Sequence, residues 1–487
     1  MSDTVIVVGA GPVGLMLAGE LRLGGADVIV LEQKTEPTTE SRGLGFTARA
    51  AEVFAQRGIL ARFGDIETSS QGHFGGIPMD FGASEGSYFG VRGIPQSRTE
   101  GILEDWALDL GAEIVRGNSL VGLRQDSHGV TAEVDGPAGR RDFTGSYLVG
   151  CDGGRSATRR LGGFDFEGTA ASREMYLADV VGRNIEPRFI GERVAGGMVM
   201  SAPLEPGVDR IIVCERAPYV ERREALTFDD VADGWQRLTG QSLHGAETRW
   251  VSAFTDATRQ VTQYRRGRVL LAGDAAHTHL PAGGQGLSLG IQDAANLGWK
   301  LASVVRGSVN EELLDTYHDE RHPIGAGVLR NTRAQGLLYL SGVEVEPLRA
   351  VVSELMTIPE VRKRLSGMVS GLDIRYGSDH SDELEGLRMP NLAVGATTVF
   401  SALHLGKGLF ITASGSSHPS VEGWDDRVDS YVVDARELHS TKSVLVRPDG
   451  YVAWAGGPGL FEALHQWFGV PAVEARASLS SEYLGDN

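Results

Sequence analysis

A glycine-rich stretch, GAGPVG at residues 9–14, follows the short β-branched run TVIVV at 4–8. A helical pattern comes next and ends at a Gly-Gly pair, and the run DVIVLE then closes at Glu32, 23 residues after Gly9. The order of strand, glycine-rich turn, helix, second strand and acid is typical of a dinucleotide-binding βαβ unit. An acid at this position can bind a ribose hydroxyl pair, which favours FAD or NAD over a 2′-phosphorylated cofactor. A tight turn without a ligand is the alternative for the glycines alone.

The residue types in this turn suit a phosphate. Gly9 allows the tight turn, Gly11 lets the backbone approach a pyrophosphate, and Gly14 permits close packing of the helix on the strand. Free N–H groups at the helix start, where Pro12 and Val13 lie, attract the phosphate charge.

Two further stretches end a strand-like run with an acid and glycines. YLVGCDGGRSATRR (147–160) contains Asp152, and GRVLLAGDAAH (267–277) contains Asp274. The second continues through LPAGGQG into a helical run that ends at Gly307. Taken alone, Asp-Gly also fits an ordinary β-turn.

GxGxxG at 9–14, CDGGRS at 151–156 and GDAAH…PAGGQG…DAANLGWKLA within 273–302 together resemble the class A flavoprotein monooxygenases, the family of the single-component aromatic hydroxylases. The resemblance implies an α/β fold in which a Rossmann-like, para-hydroxybenzoate hydroxylase-like FAD-binding domain is interleaved with a β-sheet substrate domain. It implies that Asp274 binds the ribityl hydroxyls of FAD and that the loop after it faces the pyrimidine side of the flavin. The cofactor-binding residues expected from the three signatures are Gly9, Gly11, Pro12, Val13, Gly14, Glu32, Asp152, Asp274, Pro281, Gly283, Gly284, Gly286, Leu287 and Ser288.

Two other segments resemble the same family. In ESRGLGFTARAAEVFAQRGIL (40–60) the resemblance implies that Arg42 approaches the FAD phosphates, and in VRGIPQSRTEGILEDWA (91–107) that Gln96 contacts the cofactor. A solvated surface Arg or Gln is the structural alternative.

Composition and charge exclude several classes. With 46 basic and 64 acidic residues the net charge is −18, which repels nucleic acid and anionic membranes. Cys151 and Cys214 form no CxxC pair, and His277 and His279 are interpreted as loop residues rather than metal ligands. No run approaches the length of a membrane span and no signal peptide is recognisable, so the sequence predicts a cytoplasmic protein. The cysteine and histidine spacing predicts that it binds no metal.

The substrate region is predicted from less specific patterns. Residues 173–265 alternate as short strands, and such a sheet could roof a cavity over the flavin. QGHFGGIPMDFG (71–82) brings aromatic and sulfur-containing side chains together, which suits a flat aromatic substrate. The expected wall is His73, Phe74, Met79 and Phe81. His73 is also the candidate catalytic residue, as a proton acceptor from a phenol, although a structural histidine fits equally well.

The C-terminal region has a different pattern. After a polar, linker-like stretch near 380, strand-like runs lead to a Pro-Asp-Gly turn at 448–450 and a closing helix. This resembles the thioredoxin-like C-terminal domain of larger phenol and polyketide hydroxylases, here without CxxC. The expected domains are the FAD-binding domain (1–172, with a substrate-wall segment near 71–95), the substrate domain (173–265), the second FAD-binding part (266–380) and the thioredoxin-like domain (381–487).

At whole-chain level the sequence resembles aromatic polyketide hydroxylases of angucycline antibiotic biosynthesis, through SRGLGFTAR, QGHFGGIPMDFG, YLVGCDGGRS and PAGGQG. The resemblance implies that NADPH or NADH reduces FAD, that O₂ forms a flavin hydroperoxide, and that oxygen is delivered to a fused-ring phenol or quinone. No second GxGxxG is present, so the nicotinamide is expected to dock transiently, with Arg155 as a candidate contact. The partners expected are a small polyketide substrate and a second copy in a homodimer.

Other functions fit parts of the same pattern. A Baeyer–Villiger enzyme would use the same flavin fold to insert oxygen beside a ketone. A flavin halogenase is disfavoured because the WxWxIP motif is absent from the sequence. A non-catalytic FAD-binding partner protein is the alternative from a different class.

Overall fold

The computed structural model describes residues 4–82, 93–220, 225–377, 382–414, 420–434 and 442–471. The α-helices are α1 (Pro12–Leu23), α2 (Ala48–Ala55), α3 (Gln96–Asp109), α4 (Ala157–Leu161), α5 (Phe228–Thr239), α6 (Gln285–Val305), α7 (Asp315–Leu340), α8 (Glu346–Leu355), α9 (Pro359–Ser370), α10 (Val399–Ala402) and α11 (Leu460–Phe468). The strands are β1 (Thr4–Val8), β2 (Asp27–Glu32), β3 (Gln71–Phe74), β4 (Ile77–Asp80), β5 (Glu113–Arg116), β6 (Ser119–Gln125), β7 (Val130–Gly136), β8 (Gly139–Gly145), β9 (Tyr147–Gly150), β10 (Phe166–Thr169), β11 (Glu174–Val181), β12 (Arg188–Val194), β13 (Gly197–Glu205), β14 (Val208–Glu215), β15 (Thr248–Thr255), β16 (Thr258–Val261), β17 (Arg265–Arg266), β18 (Val269–Leu271), β19 (His277–Thr278), β20 (Ala393–Val394), β21 (Thr397–Thr398), β22 (Gly408–Ala413), β23 (Val428–Val433), β24 (Val444–Val446) and β25 (Val452–Ala455).

A six-stranded sheet forms the centre of the molecule, in the order β17-β18-β9-β1-β2-β5. The pairs β18/β9, β9/β1, β1/β2 and β2/β5 are parallel. Because helices cover a parallel sheet on its faces, its central strands β1 and β9 are apolar and almost completely buried. The predicted βαβ unit at the N-terminus is confirmed.

Helices α1 and α6 pack closely on this sheet because small residues line their contact. A Cβ atom on Gly298 would lie 2.3 Å from Cβ of Glu20, and one on Gly24 would lie 2.4 Å from Cβ of Ala302. The helix predicted after the PAGGQG loop is therefore present and is tied along its length to the helix of the first glycine-rich turn.

The predicted β-rich region contains a five-stranded antiparallel sheet in the order β12-β13-β14-β11-β15. Helix α5, which the strand pattern did not predict, covers one face through Val231, Ala232 and Trp235. Its start is fixed by a capping box in which Thr227 and Asp230 bond each other's backbone amides. The opposite face is directed toward the PAGGQG loop and α7.

The C-terminal region forms a four-stranded sheet in the order β23-β22-β24-β25, with α11 packed on it. Strands β22 and β23 are parallel, and the other pairs are antiparallel. The predicted strands and closing helix are confirmed within the described residues. Within its described residues the stretch interpreted as a linker packs on the rest of the molecule, since Arg388 forms a β-bridge with Tyr451 and an ion pair with Glu52, so that interpretation was wrong there.

Parts of the predicted segments lie outside the described residues, namely 83–92 of the substrate-wall segment, 221–224 of the substrate domain, 378–381 of the linker, and 415–419, 435–441 and the tail from 472 in the C-terminal domain. Across the part of the chain that the structure describes, no helix has both the length and the apolarity to cross a membrane. Both cysteines are buried and free.

Candidate functional site

The three sequence signatures meet at one edge of the central sheet. Strands β1, β9 and β18 lie side by side and run parallel. Gly9, Asp152 and Asp274 follow these strands, so all three lie at the carboxyl edge, where open α/β sheets bind ligands. The sequence indicated each turn separately, and the sheet order brings them together.

The first loop uses its glycines in two ways. A Cβ on Gly9, whose φ is +103°, would lie 2.7 Å from the Cys151 carbonyl oxygen, and one on Gly14 would lie 1.9 Å from the Gly9 carbonyl oxygen. Gly11 differs, since among the described residues no atom beyond its chain neighbours lies within 4 Å of its Cβ position. Two glycines therefore permit packing, and the third leaves backbone open to a ligand.

Glu32 is held at this loop by backbone amides. Its carboxylate accepts hydrogen bonds of 2.8 Å from the amides of Ala10 and Lys34. A carboxylate has about four lone-pair sites, so each oxygen can still accept a ribose hydroxyl. The protein thus fixes the orientation of the acid without using up its hydrogen-bonding capacity.

Asp152 bonds mainly within its own turn. It accepts from the Thr158 amide at 2.9 Å and the Thr158 hydroxyl at 3.1 Å, and also from the Ser156 hydroxyl. Arg159, which the sequence analysis did not single out, then donates to the Ala275 carbonyl at 2.8 Å. The CDGGRS turn therefore supports the Asp274 turn, and these contacts favour a structural role for the Asp152 carboxylate.

Asp274 is exposed between the buried Gly273 and Ala275. Among the described residues its carboxylate has no hydrogen-bond partner. A Cβ on Gly273, whose φ is +61°, would lie 2.8 Å from Cγ2 of Val13. The Asp274 turn thus rests directly on the first glycine-rich loop, and its acid is available to a polar ligand.

The loop from Pro281 leads into the start of α6 through two glycines in the left-handed region, with φ of +72° at Gly283 and +65° at Gly284. Ser288, in the first turn of α6, accepts a 2.8 Å hydrogen bond from the Thr47 amide and is almost completely buried. Its hydroxyl therefore faces the protein, whereas Pro281 and Gly284 are exposed.

Arg42 and Gln96 are neighbours in the structure. The Gln96 side chain accepts from the Gly43 amide at 3.2 Å, and the Ser41 and Ser97 hydroxyls lie 2.9 Å apart. The Arg42 side chain is exposed. Its carbonyl accepts at 3.3 Å from Arg210 of the five-stranded sheet.

The predicted substrate wall divides in the structure. Phe74, Met79 and Phe81 are buried in a core with α7, α8 and α9, because they share the face of the β3–β4 hairpin that packs on these helices. This packing favours a structural role for them over the predicted wall.

His73 lies elsewhere, with its ring centroid 5.7 Å from that of Tyr339. Its Nδ1 accepts from the Gly76 amide at 3.2 Å, so the neutral ring carries its proton on Nε2. A role as proton acceptor would therefore have to use Nδ1 and break this hydrogen bond.

The sheet face next to the PAGGQG loop is apolar and rich in sulfur. Met175, Met198 and Cys214 pack there with Leu280 and Ala282, and Met200, Ile212 and Phe254 border them. Burial raises the pKa of the Cys214 thiol to about 11, so it remains protonated and acts as an apolar group. The alternating sequence pattern predicts this sheet but not which side chains face the loop, because the strand register determines the face.

A buried charged group behind the Asp274 turn was missed. Asp293 of α6 accepts from the Gly273 amide at 3.1 Å, lies 2.7 Å from Nε2 of His277, and accepts from Nε of Arg321 at 2.8 Å. Burial raises the pKa of Asp293, but the combined effect of Arg321 and His277 in the opposite direction is larger, so the pKa of Asp293 lies below its usual range. Within the described residues no group of three or more His, Cys, Asp or Glu could hold a metal ion. The His277 ring instead forms a buried contact with Asp293.

Comparison with known proteins assigns the family. Residues 2–332 match the FAD binding domain family, and residues 382–471 match the family described as aromatic-ring hydroxylase, C-terminal. The chain belongs to this family of FAD-dependent aromatic-ring hydroxylases. The open Gly11 backbone, the oriented Glu32 and the unpartnered Asp274 fit FAD.

Individual relatives extend over almost the whole chain. It is 42% identical to the 12-dehydrotetracycline 5-monooxygenase/anhydrotetracycline 6-monooxygenase of Streptomyces rimosus, over 97% of this chain and 100% of the relative. It is 38% identical to the dialkyldecalin synthase of Streptomyces rugosporus, over 97% and 100%. The crystal structure of CabE, an aromatic hydroxylase from angucycline biosynthesis, superimposes with a TM-score of 0.92 at 56% identity, over 97% and 100% of the two chains.

Proposed function

We propose that this protein is an NAD(P)H-dependent FAD monooxygenase that hydroxylates a fused-ring aromatic polyketide of the angucycline type. The observation that carries the proposal is the juxtaposition, at one sheet edge, of the open Gly11 backbone and the unpartnered Asp274 beside an apolar sheet face. Similarity to CabE and to the tetracycline-pathway monooxygenase supports the substrate class.

The two loops bind opposite halves of one FAD. The first loop binds the ADP half, with Gly11 at the pyrophosphate and Glu32 at the ribose. Asp274 binds the ribityl hydroxyls, and the backbone from Pro281 to Leu287 borders the flavin ring. Arg42, which is exposed beside Gln96, is available to the phosphates.

When bound, FAD supplies electron transfer from NAD(P)H and activation of O₂. The protein positions the reactants, and it excludes water through the apolar sheet face. The start of α6 would direct its free N–H groups and partial positive charge toward a flavin held by this loop, where they would stabilise negative charge. Arg155 is exposed beside the Asp152 turn and is our candidate for transient nicotinamide contact.

The substrate lies against the partly exposed side chains of this face, which are Met200, Ile212 and Phe254. Methionine side chains adapt to flat, bulky rings, since they are flexible and polarizable. The buried pair of Arg210 and Asp179, joined by hydrogen bonds of 2.8 and 2.9 Å, forms the polar end of this face.

The domain bounds given above are part of this proposal. The parallel β22/β23 pair, the antiparallel β24 and β25 and the final α11 support a thioredoxin-like C-terminal domain. It has no CxxC, so we propose a structural role or self-association into a homodimer.

The test is NADPH and NADH consumption by the FAD-loaded protein with and without a tetracyclic angucycline precursor, followed by mass and NMR analysis of the product. We expect substrate-stimulated oxidation and one added ring hydroxyl. Oxygen inserted beside a ketone would indicate a Baeyer–Villiger reaction. Substrate conversion without NAD(P)H consumption, or no conversion and no flavin reduction, would contradict the proposal. If Arg155→Ala leaves the nicotinamide affinity unchanged, Arg155 does not contact the nicotinamide cofactor.

A further inference from the structure

A continuous set of buried groups connects the C-terminal domain to the turn that carries Asp274. We define the positioning network as Gly273, His277, Asp293, Arg321 and Tyr376. Asp293 bonds the Gly273 amide and the His277 ring on one side and Arg321 on the other. Nη1 of Arg321 then donates to the Tyr376 hydroxyl at 3.0 Å. His277, Asp293 and Arg321 are fully buried, and Tyr376 is 5% exposed.

Tyr376 is held in turn by the C-terminal domain. Its amide donates to the Gly386 carbonyl at 2.9 Å, and its ring lies 4.2 Å from the ring of Tyr451, measured between centroids. The guanidinium of Arg447 lies 5.2 Å from the centroid of the Tyr376 ring. The position of the tyrosine hydroxyl therefore depends on residues that follow it by up to about 75 positions in the chain.

A second buried cluster connects α6 and α7 next to the positioning network. Arg447 pairs with Glu320, which precedes Arg321 on α7, and bonds Asp449 through Nε at 3.0 Å. Asn296, one turn after Asp293 on α6, donates to Glu320 at 2.7 Å and to Asp449 at 3.2 Å. The predicted Pro-Asp-Gly turn at 448–450 thus contacts α6 and α7 of the FAD-binding part of the molecule.

We propose that Tyr376 is a positioning residue through which the C-terminal domain fixes the Asp274 turn and so retains the flavin half of FAD. The inference rests on the proposed function, because it takes Asp274 to bind the ribityl chain. The Gly273 amide and the His277 ring flank Asp274, so Asp293 controls where that acid lies. A turn that must be ordered at binding costs affinity, and the network removes that cost in advance.

The two tyrosines, whose rings are in contact, offer a matched test. The hydroxyl of Tyr376 accepts from Arg321, whereas the hydroxyl of Tyr451 is buried and has no hydrogen-bond partner among the described residues. Tyr376→Phe and Tyr451→Phe therefore each remove a hydroxyl from the same ring pair, and only the first interrupts the network. Neither change opens a large cavity, and thermal unfolding of each apoprotein checks that it folds.

The apoproteins are titrated with FAD by flavin fluorescence, and with ADP by competition. We expect Tyr376→Phe to weaken FAD binding about tenfold, since a hydrogen bond from a charged donor is lost, and to change ADP binding less than twofold. Tyr451→Phe changes neither affinity by more than about twofold. Amide exchange at residues 273–276 of the apoprotein should be faster in Tyr376→Phe alone.

Equal FAD affinities in the two variants would overturn the inference. So would equal losses of FAD and ADP affinity, because a general effect on the fold moves both ligands. If the unaltered protein does not bind FAD, the proposed function fails and this inference fails with it. If the unaltered protein binds FAD and Tyr376→Phe binds it equally well, only this inference fails.

Discussion

The two glycine-rich loops of this protein occupy the same sheet edge but are supported differently. The first loop, 9–14, is held by its own strand and helix and by Glu32, 22 positions after Ala10. The second, around Asp274, depends on Asp293, Arg321 and Tyr376, the last about 100 positions later. One loop is therefore a local structure, and the other is completed by distant parts of the chain.

The difference shows why similar turns can contribute differently to binding. The first loop needs only glycines where backbone or ligand comes close, and its conformation follows from the βαβ unit. The second leaves its acid exposed and takes its support from charges that are completely buried. Buried charges tolerate the loss of a partner poorly, so the second loop should be the more sensitive to changes far from the ligand.

The largest effect is expected from Asp293→Ala. It leaves Arg321 buried without its carboxylate, which should lower the free energy of unfolding by about 3–5 kcal/mol. Asp142→Ala is the control, because Asp142 pairs with Arg124 at 2.9 Å on the surface and should contribute less than about 1 kcal/mol. Urea unfolding followed by circular dichroism measures both. Comparable losses would mean that the second loop does not depend on its buried network.

A slightly smaller effect, dependent on pH, is expected from Glu320→Gln. Burial raises the pKa of Glu320, but Arg447 and Lys300 lower it more, to about 2. A lowered carboxyl pKa stabilises the folded state above pH 4.5, and this contribution is lost as the pH falls toward 2. At pH 7 the variant should be less stable by about 3 kcal/mol. Urea midpoints from pH 7 to pH 3 should show this gap closing.

Lys300 is not the main partner of Glu320 in this prediction. Burial lowers the pKa of Lys300 to about 8, because the opposing effect of Glu320 does not outweigh burial and the positive charge of Arg447, and Arg447 lowers the pKa of Glu320 more than Lys300 does. The control is Glu311→Gln, whose exposed carboxylate pairs with Arg265 and should contribute less than about 1 kcal/mol at every pH. A gap for Glu320→Gln that stays constant down to pH 3 would contradict the assignment.

The smallest effect on stability is expected in the first loop, where two glycines can be compared. Gly14→Ala brings a methyl group against the Gly9 carbonyl and should destabilise the protein by about 1–3 kcal/mol. Gly11→Ala meets no nearby atom of the described residues and has an ordinary φ of −80°, so its stability should be unchanged. Its FAD and ADP affinities should fall together, because the methyl group would stand where the pyrophosphate approaches.

Thermal unfolding and the two ligand titrations separate these outcomes. If Gly11→Ala binds ADP normally, the first loop does not approach the phosphates as proposed. If Gly14→Ala folds with unchanged stability, the close contact between helix and strand is not required.

Much of the fold could be predicted because its signals are local. The βαβ unit, the strands that end at Asp152 and Asp274 and the closing α11 each follow from hydrophobic periodicity and turn residues. Helix α5 was missed because its segment was interpreted as alternating strands, although the Thr227–Asp230 capping box was a usable signal. Phe74, Met79 and Phe81 were assigned to a wall because aromatic composition does not tell which face of a hairpin packs on a neighbouring helix.

The charged residues of α6 show the limit of such reasoning. Asp293 and Lys300 lie on a helix whose other buried positions are mostly apolar, and buried charges in such a setting indicate partners. Their partners, Arg321 for Asp293 and Glu320 for Lys300, follow at different distances along the chain, so no spacing pattern identifies them.

The sequence by itself determined the local elements of this protein, namely three glycine-rich turns at strand ends, two of which carry an acid, and the helices that follow them, and it determined the net charge of −18. The tertiary structure alone decided that these turns share one edge, that a sulfur-rich sheet face meets the second loop, and that the C-terminal turn is buried behind it. The physical reason is range: backbone conformation follows from neighbouring residues, whereas strand order, register and the pairing of buried charges depend on contacts between residues far apart in the chain.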